Sequence, residues 1–240
     1  PTTQTAFAGG TTADSNVAAL ATIVSQRFYN IVSAAEDATQ VGALVTQIGV
    51  MAAPIVGLRQ RAFAGSVDTL GNATTFATGI NAARAEIIWQ QNSDLTPGEI
   101  AASCAAAYAL FEAPAVPRLN FSGFGTDAVT QPFWQIKAPL AGTVPTRTQL
   151  KSALNNGLTP IAVGRSGTSY LVKRITSRSL SGAVNDYRIR DAHKVTVCDR
   201  YADDLVAKAA LQFSGKLIGN DPLPGQRVPG SNVVSAPPSP

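Results

Sequence analysis

Charge is what this 240-residue chain has least of. Asp, Glu, Lys and Arg together make up 14% of it, against about 25% in an ordinary soluble protein. Small residues dominate in their place, chiefly Ala, Gly, Ser and Thr. A surface so thinly charged is expected where neighbouring molecules cover much of it, and an Ala-rich composition accounts for part of the effect. Histidine is rarer still, so any His-based acid–base or Ser/His/Asp chemistry has to use His193. No Gly-x-Ser-x-Gly elbow is present to supply a nucleophile. The two cysteines, Cys104 and Cys198, have neither CxxC spacing nor a companion histidine, which gives no support to a zinc site. Cys104 lies in IAASCAAAYAL and reads as a small buried apolar residue, and no disulfide need be assumed. The chain shows no signal-peptide pattern and no apolar run long enough to span a bilayer. A soluble chain in a reducing cytoplasm, with no membrane insertion, is expected.

The charge that is present is unevenly spread. The net value is +4, and 10 of the 19 Lys and Arg residues lie between Arg165 and Lys216. Asp186, Asp191, Asp199, Asp203 and Asp204 are interspersed among them, and aromatics there are sparse. That pattern favours ion pairs within or between subunits over a groove that tracks phosphates. No nucleic-acid partner is expected. Asp203 and Asp204 are neighbours on an expected helix and point in different directions, so they read as a solvated face and not as metal ligands. Neither Gly-rich spot makes a phosphate loop: Ser122-Gly123-Phe124-Gly125 lacks the helix and the Lys-Ser/Thr that would follow, and Gly164-Arg165-Ser166-Gly167 sits between two strand candidates. No catalytic residue, cofactor or metal is therefore expected.

What is there is a regular alternation. Asp14–Gln26 has apolar residues at helical spacing, and Phe28–Val32 follows as a strand. Glu36–Val50 returns to helix, with Val41, Leu44, Val45 and Ile48 on one face. Arg61–Ser66 and Ala85–Gln90 are strand candidates on either side of a weaker helix, Thr69–Gly79. Thr96-Pro97-Gly98-Glu99 is a capping box with proline at the first helical position, starting a helix that runs to about Phe111. Strands separated by helices predict an α/β fold, a mainly parallel sheet flanked by helices on both faces. Residues 1–112 form this layer, and 113–145 make an irregular connection rich in proline and glycine. Residues 146–220 complete the core. Thr146 caps a helix over Arg147–Asn155, then comes a β-hairpin, Asn156–Ser179, ending in a basic strand, then a long helix from about Arg188 to Ser214. Residues 221–240 are a Pro/Gly-rich arm or linker.

Three stretches carry a family resemblance. Gln60–Asn81 (QRAFAGSVDTLGNATTFATGIN), the hairpin block Asn156–Ser179 (NGLTPIAV…YLVKRITSRS) and the Pro/Gly-rich run Pro222–Val234 resemble, in order and spacing, segments of the Mu-like contractile bacteriophage tail sheath proteins. None is a catalytic fingerprint, so the likeness rests on the ensemble. The resemblance implies a non-enzymatic structural subunit of the virion, assembled in the bacterial host cytoplasm into rings around a tail tube. The lattice would contract to drive that tube through a cell envelope. The implied partners are other copies of the chain, the tail tube protein, and the baseplate and tail terminator proteins. Basic positions expected at a subunit interface are Arg165, Lys173, Arg174, Arg178, Arg188 and Arg190, and charge reversal at Arg174 is expected to weaken assembly more than folding.

The resemblance also implies further segments on both sides of this stretch, so the chain is expected to be a fragment or processed core lacking the arms that link rings. Two other classes of function compete. One is a small α/β enzyme or ligand-binding domain with a polar pocket near Ser33, Gly65 or Gln90, at the carboxyl ends of the strands. The other is a basic nucleic-acid-binding module.

Overall fold

The computed structural model describes residues 17–23, 28–111, 136–139, 143–164, 167, 169–213, 217–219 and 233–235. Strands β1 (Asn30–Val32), β2 (Arg61–Ser66), β3 (Ala85–Trp89) and β4 (Leu158–Val163) lie side by side in chain order, all parallel, and β5 (Ser169–Leu171) closes the edge antiparallel to β4. Parallel neighbours need crossovers, and helices supply them: α2 (Ala38–Met51), α3 (Leu70–Ile80), α4 (Pro97–Phe111) and α5 (Arg147–Asn155). A short α1 (Val17–Ile23) precedes β1. The fold is the α/β layer expected from the alternation, with a mostly parallel sheet covered on both sides.

Alternation along the strands decides which residue meets which helix. Phe63 of β2, Ile88 of β3 and Ile161 of β4 face α4, where Ile100, Ala101, Cys104 and Tyr108 pack on them. Ala64, Ile87, Trp89 and Leu158 face the other way, against Val41 of α2, Ala73 and Ala77 of α3, and Ala153 of α5. Leu20 of α1 joins Leu44 and Ile48 on that side. β2 and β3 are buried along their whole lengths, as central parallel strands are. Alanines at the contacts, Ala73 and Ala77 of α3 and Ala153 of α5, let these two helices come close to the sheet.

The helix starts are locally encoded. Asp37 accepts the Thr39 N–H to cap α2, and Thr69 caps α3. Thr96 and Glu99 form the expected box, the carboxylate accepting the Thr96 N–H at 2.8 Å and the hydroxyl accepting the Glu99 N–H at 3.4 Å. Thr146 and Gln149 make a second complete box on α5. At the end of α3, Asn81 adopts the left-handed conformation (φ 40°). There its side-chain oxygen accepts the N–H groups of Ser179 and Leu180 and its amide donates to the Leu180 carbonyl, tying a distant loop to the helix end.

Two details differ from the sequence reading. The hairpin turns where expected, with Gly167 at φ 77° and its N–H on the Gly164 carbonyl. However, its second arm ends at Leu171 and the basic residues that follow are not in a strand. After Val172, which still donates to the Pro160 carbonyl, the backbone N–H of Ile175 goes to the Thr159 hydroxyl, so a side chain replaces the ladder partner. The long helix begins later than Arg188, at α6 (Ala192–Phe213), after a two-stranded hairpin of β6 (Leu180–Ser181) and β7 (Val184–Asn185). Asp191 marks the start by accepting the His193 N–H at 3.1 Å.

Compactness divides the chain at α6 into Pro1–Thr196, which holds the sheet, and Val197–Pro240. The second unit contains most of α6, with an Arg200–Asp204 ion pair (3.2 Å) one turn apart, and a parallel pair of short strands, β8 (Leu217–Gly219) and β9 (Val233–Ser235). The sequence reading has the long helix there and an arm over residues 221–240, without this strand pair. Of the irregular connection, Ile136 is buried against α4's face of the sheet. The segment Ser122–Gly125, Trp134 and the tail prolines lie outside the described residues.

Candidate functional site

A ligand site in an open α/β sheet sits beyond the carboxyl ends of the strands, at the N-termini of the following helices. Here the first turn of α4 takes up the part of that space beyond β2. A Cβ on Gly65 would lie 2.0 Å from the Pro97 carbonyl oxygen, and one on Gly98 would lie 2.9 Å from the Ala34 Cα. The first turn of α4 is therefore seated on the backbone of β2 and of the loop after β1. Ser33 Oγ donates to the Ala35 carbonyl (3.2 Å) and Gln90 Nε2 donates to the Lys137 carbonyl (2.8 Å), while the buried Ser66 Oγ and Gln90 Oε1 have no hydrogen-bond partner among the described residues. The seating of α4 works against the ligand-domain reading at Gly65, one of the positions where it expected a pocket.

His193 stands in the first turn of α6, and no group of three or more His, Cys, Asp or Glu among the described residues is placed to hold a metal ion. Cys104 is fully buried, and that burial pushes its thiol well above the usual range, with the Glu86 carboxylate adding to the shift. A thiol held neutral in this way is a packing group and a poor nucleophile.

The expected interface cations fall into three situations. Arg165 lies outside the described residues. Arg174 is buried. Its Nε donates to Glu86 Oε2 at 3.1 Å, its Nη2 donates to Glu86 Oε1, and its guanidinium lies 3.8 Å from the Tyr108 ring centroid. The pair joins β3, α4 and the loop after β5, on the α4 face of the sheet. Burying two charges is worthwhile only with geometry of this quality, a forked pair plus a ring face.

Arg178 and Arg188 converge on Asp186, whose own side chain is only 3% exposed. Arg188 grips it from both nitrogens, Nε to Oδ1 at 3.0 Å and Nη2 to Oδ2 at 3.1 Å, and its backbone N–H adds a third bond. Arg178 Nε reaches Oδ2 at 3.1 Å. The side-chain and then the backbone hydrogen bonds from Arg188 hold the Asp186 carboxyl far below the ordinary carboxylate range, against the opposing effect of desolvation. Reciprocally, Asp186 raises the pKa of Arg188. These three residues pin the β6–β7 hairpin.

Lys173 and Arg190 are left facing outward. Lys173 Nζ is 3.9 Å from Asp191 Oδ2, a loose contact. Arg190 lies over the Tyr187 ring at 5.1 Å and donates to Asn155 Oδ1 at 3.3 Å, while partial burial lowers its pKa. Sequence reasoning named the cations but missed Glu86, Tyr108 and Tyr187. Glu86 was legible in principle, since a carboxylate inside the apolar strand Ala85–Trp89 needs a buried partner.

With this geometry in hand, comparison with known proteins gives one kind of answer. No family model matches the chain, and no curated protein matches it. Among solved structures, the sheath tail protein of Desulfitobacterium hafniense superposes with a TM-score of 0.57 at 14% identity, over 86% of this chain and 45% of that one. The sheath tail protein Lin1278 of Listeria innocua gives 0.49 at 12% identity, over 77% of this chain and 38% of that one. The first of these likenesses establishes a shared fold. This chain spans less than half the length of either protein.

Proposed function

We propose that the chain is part of a structural subunit of a contractile phage tail sheath of the Mu-like kind, with no catalytic role. One observation carries the reading: the sheet and helices match the fold of a sheath tail protein over most of this chain. The motif resemblance at Gln60–Asn81, Asn156–Ser179 and Pro222–Val234 supports it independently of the coordinates. So does the close seating of α4 on Gly65, at the carboxyl end of β2 where an α/β enzyme would keep its substrate.

In this reading the subunit works by packing. A mostly parallel sheet with buried central strands and helices on both faces is a stiff body that can rotate as a unit while its outer surfaces repack against neighbours. Its partners are further copies of itself, the tail tube, and the baseplate and terminator proteins at the ends. Lys173 and Arg190, together with Arg188 at 76% side-chain exposure, are the cations placed to meet them. The test is negative-stain electron microscopy of the full-length protein, which is expected to form long tubes. Monodisperse monomers at high concentration would overturn the proposal.

A further inference from the structure

Beside the amino-terminal half of β4 the surface sinks into an open depression of ≈390 Å³, lined by Lys151, Asn155, Lys173, Tyr187, Arg190, Asp191 and Lys194. Four cations face one carboxylate there. That carboxylate is already committed, since Asp191 Oδ1 accepts the His193 N–H and Oδ2 holds Lys173 only loosely, at 3.9 Å. Arg190 is stacked on Tyr187 and held by Asn155, so its guanidinium is oriented before any partner arrives. Partial burial already disfavours its charge, a penalty that a nearby anion would relieve. The depression is built to receive negative charge.

The same topology collects negative charge elsewhere. Because β1, β2 and β3 are parallel, the loops that follow them all emerge at one end of the sheet. Those loops and the turn entering α4 carry Glu36, Asp37, Asp68, Asp94 and Glu99 and no lysine or arginine of their own, with the exposed Lys137 beside them where its carbonyl accepts from Gln90. Asp68 and Asp94 are exposed. The depression is at the opposite end: Ile175 bonds to Thr159, near the start of β4, and Asp191 bridges to Ile175. The strands between them are about 17–20 Å long, at roughly 3.3 Å per residue. One molecule cannot bring its acidic loops to its own depression, but two molecules can.

We infer that the basic depression around Arg190 and Lys194 is the docking site for the acidic strand-to-helix loops of a second copy of this chain, in a head-to-tail contact. The inference rests on the self-assembly reading above and specifies which faces meet. Such a contact is heterologous, so a pair keeps one free depression and one free acidic rim, and repetition builds a ring or a filament. Charge complementarity of this kind fixes register and orientation, and it weakens with salt.

Sedimentation velocity of the chain across salt and concentration tests it, with two variants: K151E/K194E reverses the rim of the depression, and D94K reverses an exposed loop carboxylate while sparing Asp37, Asp68, Thr69 and Thr96, which hold the helix starts. Each variant alone is expected to associate at least roughly tenfold more weakly than wild type, because like charges then face each other. An equimolar mixture is expected to restore association, since the unaltered depression of one variant meets the unaltered loops of the other. Association that neither variant changes, a mixture that stays apart, or a wild-type chain that never associates overturns the inference. So does saturable binding of inorganic phosphate in the depression with no effect of either variant on association, which would make it a small-anion site. Tubes of the full-length protein that form equally well with K151E/K194E would sink this inference and leave the sheath reading standing. Absence of tubes in the wild type would sink the sheath reading instead.

Discussion

Arg174 and Glu86, 88 residues apart in sequence, meet as a forked ion pair in which the arginine also covers the Tyr108 ring. Their side chains are 7% and 3% exposed, so neither charge has enough water to stand alone. Arg174→Ala or Glu86→Gln leaves the other member buried without its counterion. Each is expected to destabilise the fold by about 3–5 kcal/mol in urea denaturation. The double variant E86L/R174M, which replaces the pair by apolar groups of similar size, is expected to recover most of that loss. A charge reversal here is expected to act on folding first, where the sequence alone led to the expectation that it weakens assembly more than folding. Full stability in Arg174→Ala would contradict the burial argument.

Asp186 makes the β6–β7 hairpin sensitive to acid. Its carboxyl is depressed in the folded state by Arg188 and Arg178, so the folded state binds its proton less readily than the unfolded chain does. The anchoring is therefore complete above the unfolded carboxylate range near pH 4 and is lost progressively as pH falls below it. Hydrogen exchange of residues 178–190 is expected to accelerate below about pH 4 in the wild type. Asp186→Asn should exchange quickly at neutral pH and show little further change on acidification. Equal protection in the two proteins at pH 7 would refute the assignment.

Gly65 is where the helix α4 touches the sheet most closely. With the Pro97 carbonyl 2.0 Å from a would-be Cβ, Gly65→Ala can be accommodated only by lifting α4 from β2. Overpacking of this kind typically costs about 1–3 kcal/mol, and backbone on both sides puts this site at the upper end. Gly71→Ala is the control, since nothing lies within 4 Å of its Cβ position and it faces no such obstacle. Thermal melting of the two variants checks the difference, and equal melting points would show that α4 is not held at Gly65.

The two cysteines should differ sharply in reactivity. Cys104 is buried with its thiol pKa pushed up, whereas Cys198 is exposed on α6. A maleimide at neutral pH is expected to label Cys198 within the mixing time and Cys104 only after unfolding. Prompt double labelling of the native protein would mean that the α4 face of the sheet opens readily.

Local structure was largely legible from the residues. The Thr96–Glu99 box, the Thr146 cap, the strand Arg61–Ser66 and the apolar stripe of α2 are all short-range patterns: a hydroxyl three residues from a backbone N–H, or a methyl every three or four positions. Arg174 was not legible in this sense. Nothing within a few residues of it says whether it faces water or Glu86, because the choice depends on β5 ending at Leu171 and on Thr159 capturing the next stretch of backbone. The β8–β9 pair was missed for the same reason, since a proline-rich tail reads as unpaired until a partner strand is found for it.

The sequence by itself determined that this chain is an α/β protein poor in charge, with three stretches that resemble a tail sheath. Those properties follow from composition and from spacings of a few residues, which are the same in any tertiary context. Only the tertiary structure decided how the scarce charges are used. It placed one pair inside against Tyr108, spent two arginines on Asp186, and left four cations around a depression at the end of the sheet opposite the acidic loops. The physical reason is that the energy of a charge depends on its water and its neighbours, and both are set by contacts between residues far apart in the chain.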